Sequence, residues 1–103
     1  MIEWELVLVY KGKRFIQKAT VEYSSRQIMR IRVTGSKGGL LLENNYPAIR
    51  FAKAKKGVKW KIREGSLTAA QSDDAILLVN IFSKLEDLMK TDFEKIYPDA
   101  ELF

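Results

Sequence analysis

The chain has 103 residues, 47% of them hydrophobic and 30% charged, with 18 Lys or Arg against 13 Asp or Glu for a net charge of +5. That length suits one domain with one core, and the balance of apolar and charged residues is that of a folded protein rather than a disordered one. The sequence has neither Cys nor His, which removes disulfides, thiolate and imidazole metal ligands, the Cys nucleophile and the commonest general base, so most enzyme chemistries lose their central residue.

The N-terminus goes straight into strand pattern without a basic leader region, and no apolar run approaches the roughly 18 residues of a membrane span. A cytoplasmic location is the expectation. Ile2, Trp4, Leu6, Leu8 and Tyr10 alternate with Glu3, Glu5, Val7, Val9 and Lys11, the period of a half-buried strand. Lys11, Gly12 and Lys13 form a turn with its bend at Gly12. Phe15, Gln17, Ala19, Val21 and Tyr23 then alternate with Ile16, Lys18, Thr20 and Glu22, so the first two strands read as a hairpin with both sets of aromatics facing the core.

Ser24, Ser25 and Arg26 break the pattern before a third strand, in which Met29, Ile31 and Val33 point inward and Arg30, Arg32 and Thr34 outward. The run Gly35, Ser36, Lys37, Gly38 and Gly39 reads as a hairpin turn into Leu40, Leu41, Leu42 and Glu43. It holds the small residues and lysine of a phosphate cradle, but not the G-x-x-x-x-G-K-[ST] order, and no helix start follows it. Asn44, Asn45 and Pro47 mark the next bend, and Ile49 and Phe51 suit a short strand or an irregular segment. Val58, Trp60 and Ile62 then alternate with Lys59, Lys61 and Arg63, a strand with one apolar and one cationic side.

Ser72 has the character of an N-cap, with Asp73 and Asp74 complementing the amides of a first helical turn. Leu78, Ile81, Phe82, Leu85, Leu88 and Met89 recur at helical spacing as a stripe able to cover one face of a sheet. Ile76, Leu77 and Val79 widen that stripe at its start, and a second turn through Phe93 and Ile96 runs to Pro98. Leu102 and Phe103 are apolar residues in need of a groove. The fold expected is a single α+β domain over 1–103: an antiparallel, twisted five- to six-stranded sheet (1–70) followed by one long C-terminal helix (71–97) packed on its apolar face, and a tail (98–103).

Charge divides along the same line. Residues 1–70 hold fifteen Lys or Arg against five Asp or Glu, a balance of +10, and residues 71–103 hold three against eight, a balance of −5. The candidate nucleic-acid or anion-binding set is Arg30, Arg32, Arg50, Lys53, Lys55, Lys56, Lys59, Lys61 and Arg63, a stripe suited to phosphate contacts if the strands bring it together. Tyr46 and Phe51 are the candidate stacking residues, because the other large aromatics share the parity of the core. The acidic residues serve capping and solvation, so neither a carboxylate dyad nor a metal site is expected, and the chain reads as a non-enzyme without a cofactor. The leading expectation is a non-catalytic module that contacts nucleic-acid phosphates, with single strands as the candidate partner. The alternatives are a homodimeric interaction or scaffold domain and an anionic-lipid surface. Strands followed by one C-terminal helix occur in single-strand-binding modules and in domains resembling the pleckstrin fold, an analogy of strand order alone.

Overall fold

The alternating N-terminal residues form β1 (Glu3–Tyr10), joined through Lys11 and Gly12 to β2 (Lys13–Ser24) in a computed structural model that describes residues 2–35, 38–65 and 72–98. Lys11 and Gly12 both have positive φ, 51° and 74°, as a two-residue type I′ hairpin requires. A Cβ at Gly12 would meet nothing within 4 Å, so backbone conformation rather than space favours glycine there.

The chain continues through β3 (Met29–Gly35), β4 (Gly38–Asn44), α1 (Tyr46–Phe51), β5 (Trp60–Gly65), α2 (Ser72–Thr91) and α3 (Phe93–Ile96). The five strands pair antiparallel in the order β1-β2-β3-β4-β5, so each neighbour in sequence is a neighbour in space. The fold is α+β, an antiparallel sheet with the long helix α2 packed on one face. Pairing of Gly35 with Gly38 makes β3 and β4 a hairpin, although Ser36 and Lys37 lie outside the described residues. The side chains of Ser72, Asp73 and Asp74 and the residues from Asp99 to Phe103 lie outside them too.

The inner face is the one the alternation marks: Trp4, Leu6 and Leu8, Ala19 and Val21, Met29, Ile31 and Val33, and Leu40 and Leu42 are all buried. Leu78, Ile81, Leu85 and Met89 of α2 are buried against them. Successive members of that helical set are three or four residues apart, so they form one stripe along the helix. Trp4 donates from Nε1 to Asp92 Oδ2 at 2.8 Å, which fixes the C-terminal end of α2 over the start of β1. At the other border Trp60 stacks flat on Phe82, ring centroids 4.7 Å apart and planes within 8°, and donates to Glu86 Oε1. No described helix is long and apolar enough to cross a membrane.

Three expectations are corrected. Tyr23 does not follow the core parity of β2. A register shift between Val21 and Tyr23 turns its ring outward, 48% exposed and opposite Arg30, because a bulge adds one residue to an alternation of period two. Residues Ile49 and Phe51 are helical rather than extended. Asn44 starts that helix, its Oδ1 accepting from the Tyr46 amide at 2.9 Å, and Pro47 sits in the first turn, where its missing N–H has no helical partner to lose. Finally, β5 begins at Trp60 rather than Val58 and is exposed at every residue after it, since it is an edge strand with a register shift at its far end.

Candidate functional site

The nine basic residues picked from the sequence occupy two places. Arg30, Arg32, Lys61 and Arg63 come from β3 and β5; Arg50, Lys53, Lys55, Lys56 and Lys59 all lie on the connection between β4 and β5.

On the sheet, β4 lies between β3 and β5 and places Glu43 directly opposite both Arg30 and Lys61. Arg30 Nε donates to Glu43 Oε1 at 3.0 Å, and Arg63 Nη1 is 3.7 Å from the same oxygen. Arg32 Nε donates to Glu22, and Arg32 Nη2 donates to Glu64 Oε2 at 3.2 Å. Lys18 pairs with Glu3 at 3.1 Å on the same face. The Glu43 carboxylate is itself buried at 8% exposure, and the hydrogen bond from Arg30, with Arg63, Arg30 and Lys61 adding charge, holds it below the usual carboxylate range despite its burial. The sheet is therefore a mosaic of alternating charges. A shallow depression beside it, lined in part by Glu3, Glu5, Lys18 and Thr34, is equally mixed.

The connection is different. Between Arg50 and Lys59 there are five cations and no acid. Among the described residues Lys53, Lys55, Lys56 and Lys59 make no ion pair. The segment is nevertheless tied down at both ends. Asn45 Oδ1 accepts from the backbone amide of Lys59 at 2.8 Å, closing the connection at its base. Helix α1 ends with the Ala54 amide bonded to the Ile49 carbonyl and the Lys53 amide to the Arg50 carbonyl. This is the Schellman pattern, which places Lys53 at the left-handed position usually given to glycine, with φ 53°.

Helix α1 is held by aromatic packing. Tyr46 meets Phe93 edge-on at 5.9 Å, Phe51 lies 5.6 Å from Phe93 and 5.3 Å from Tyr97, and Phe93 lies 4.9 Å from Tyr97. Tyr97 donates its hydroxyl to the Ser25 carbonyl at 2.5 Å, and burial pushes the ionisation of that hydroxyl well above its ordinary value. The guanidinium of Arg50 sits over the Phe93 ring, 4.7 Å from its centroid, and Nη1 donates to Tyr46 Oη at 3.2 Å. Arg50 is thus oriented by a ring and a hydroxyl rather than by a carboxylate, so its positive charge is fixed in place and not cancelled.

The two candidate stacking residues have the anchoring role in this cluster. Tyr46 is 6% exposed and belongs to the core, so its ring offers no face to a base; Phe51 is half-buried between Phe93, Tyr97 and the guanidinium of Arg26. Arg26 was not singled out from the sequence. It lies in the β2–β3 turn, and only the meander, which brings that turn and the β4–β5 connection to the same end of the sheet, places it beside Phe51. The described residues contain no group of acids able to hold a metal ion.

The chain matches no protein-family model, no curated protein and no solved structure.

Proposed function

We propose that this protein is a non-catalytic module that holds a polyanion, with nucleic-acid phosphates as the ligand chemistry, through the β4–β5 connection. The observation that carries the reading is the run of Arg50, Lys53, Lys55, Lys56 and Lys59 on a segment anchored at both ends, with no carboxylate paired to its lysines among the described residues. Phosphate contacts need such charge, because affinity comes from displacing counterions with Lys and Arg already held close together. A second feature supports it. A lysine at the left-handed position after α1 costs about 1 kcal/mol relative to glycine, local strain of the kind that accumulates at functional segments.

The sheet cations have a different part. Arg30, Arg32 and Arg63 hold strands together through Glu22, Glu43 and Glu64, and Lys61 lies opposite Glu43 in the ladder, so the contribution of the three arginines to a ligand is limited to the donors left over. The contact is to the phosphate backbone, since the aromatic residues near the connection are engaged with one another and bases find little to stack on; single-stranded nucleic acid is the partner put to the test.

Fluorescence anisotropy with a labelled single-stranded oligonucleotide tests the reading. Binding at low salt should weaken on salt addition with a log–log slope of about −3, the value for four or five neutralised phosphates on a single strand. No salt-sensitive binding at micromolar protein removes it, and binding to anionic vesicles with none to the oligonucleotide reassigns the connection to a lipid surface.

A further inference from the structure

One cation of the β4–β5 connection is held differently from the rest. Among the described residues the ammonium groups of Lys53, Lys55, Lys56 and Lys59 meet no carboxylate, ring or hydrogen-bond acceptor, and exposed lysine stems of this kind turn through many rotamers. Arg50 is exposed too, yet its guanidinium sits 4.7 Å from the centroid of the Phe93 ring and donates from Nη1 to Tyr46 Oη, one turn back on α1, at 3.2 Å. Both supports belong to the core, and their rings meet edge-on. The head group is thereby fixed to the body of the protein although the residue is at the surface.

The other edge of that guanidinium is open. The group is planar, and its Nε and Nη2 side presents two N–H donors in parallel. In Arg30 and Arg32 this edge is occupied, Nε donating to Glu43 in the one and to Glu22 in the other, with Arg32 Nη2 donating to Glu64 as well. In Arg50 only Nη1 donates, to Tyr46, and no acceptor among the described residues meets Nε or Nη2. No acid lies between Arg50 and Lys59 in the sequence. Lys53, whose amide donates to the Arg50 carbonyl at 3.2 Å, sets a second cation beside it. Two parallel donors match two oxygens of one oxyanion, and a guanidinium already seated loses little conformational freedom in taking them.

We propose, resting on the reading of the connection as a polyanion site, that Arg50 is its specificity-determining contact. Arg50 takes two non-bridging oxygens of a single phosphate group through Nε and Nη2, and the lysines around it add charge without fixing position. Tyr46 is then a positioning residue, since its hydroxyl holds Nη1 and with it the orientation of the whole planar group. A nucleic-acid phosphodiester and a free phosphate both offer such a pair of oxygens, and two probes separate them.

Nitrogen NMR of the arginine Nε–H groups in the full chain is the test, with inorganic phosphate and a short single-stranded oligonucleotide as the probes. Expected is a saturable shift of the Arg50 Nε–H signal with each probe, and little movement of those of Arg30 and Arg32. Arg50→Lys, which keeps the charge and removes the two-pronged edge, should weaken oligonucleotide binding about tenfold and leave the log–log salt slope unchanged. Lys55→Gln, which removes a charge, should instead flatten that slope by about 0.7. Tyr46→Phe keeps the ring on Phe93 and should weaken binding about threefold at constant slope, with the Arg50 Nε–H group more mobile in the free protein. Oligonucleotide binding that leaves the Arg50 signal unmoved overturns the proposal while the polyanion reading stands. A shift with inorganic phosphate and no binding of the oligonucleotide does the reverse, making Arg50 the centre of a small-phosphate site. An Arg50 signal that answers neither probe, or an Arg50→Lys variant of full affinity, reduces Arg50 to one charge among five and overturns the proposal.

Discussion

The sheet face and the β4–β5 connection carry nearly equal numbers of cations and use them in opposite ways. On the sheet, Arg30 and Arg63 converge on Glu43 and Arg32 bridges Glu22 and Glu64, so positive charge is spent within the molecule as cross-strand ties. On the connection, Lys53, Lys55, Lys56 and Lys59 have no such partner among the described residues, and Arg50 is oriented by Phe93 and Tyr46 instead. A count of basic residues is therefore a poor guide to a binding surface. What matters is whether the neighbouring strands supply acids in register, and here β2, β4 and β5 do so for the sheet, while among the described residues no acid does so for the lysines of the connection.

The contrast can be broken most severely at the aromatic cluster that supports the connection. Phe93 is 3% exposed and packs on Tyr46, Phe51 and Tyr97. Phe93→Ala should cost about 3–5 kcal/mol in urea denaturation, with proteolysis starting in the connection before the sheet. A loss below ~1 kcal/mol would show that α1 is anchored elsewhere, since one kcal/mol is an ordinary surface effect. Charge reversal comes next. Replacing Lys53, Lys55 and Lys56 by Glu should weaken oligonucleotide binding about 100-fold, roughly 2.7 kcal/mol, whereas Arg30→Gln with Arg32→Gln should change it by less than about threefold. Equal losses from the two sets would erase the distinction between face and connection.

A smaller effect sharpens the account of the sheet. Glu43→Gln removes the carboxylate shared by Arg30 and Arg63 and should cost about 1–2 kcal/mol at neutral pH, between the ranges of an exposed and a fully buried pair. The sign with pH follows from its lowered pKa. Its contribution is full above the ordinary Glu value of about 4.3 and is lost as pH falls through the lower native value, so wild type and Glu43→Gln should converge in acid. The smallest change has the opposite sign. Lys53→Gly should raise stability by about 0.5–1 kcal/mol by relieving the left-handed backbone, yet weaken oligonucleotide binding. Stabilisation without loss of binding would leave Lys53 outside the ligand contact.

Much of this architecture was legible in advance because side-chain period reports directly on strand and helix faces. The alternation of Trp4, Leu6 and Leu8 and of Met29, Ile31 and Val33, and the helical spacing of Leu78, Ile81, Leu85 and Met89, name the core residues that are in fact buried. Asn44 and Asn45, read as turn formers, are such: one starts α1 and the other closes the connection on Lys59. Failures occur where one residue shifts the period. The bulge after Val21 brings Tyr23 to the surface, where Arg30 lies 5.3 Å from its ring centroid, and a bulge leaves no consistent mark in a strand's own pattern. The α1 segment is too short for a periodic signal, so Tyr46 and Phe51 looked available when they are packed.

From its residues in order, then, this chain determined its class, its sheet-then-helix succession, its core and the basic character of its first two-thirds, because each depends on neighbours a few positions apart. Which cations are paired and which are open was decided only by tertiary structure. Arg32 is linked to Glu22 ten residues before it and to Glu64 thirty-two residues after it. Arg50 is seated by Phe93 from the far end of the chain. Electrostatic pairing acts over a few ångströms of space, and strand register rather than distance in sequence sets which charges meet.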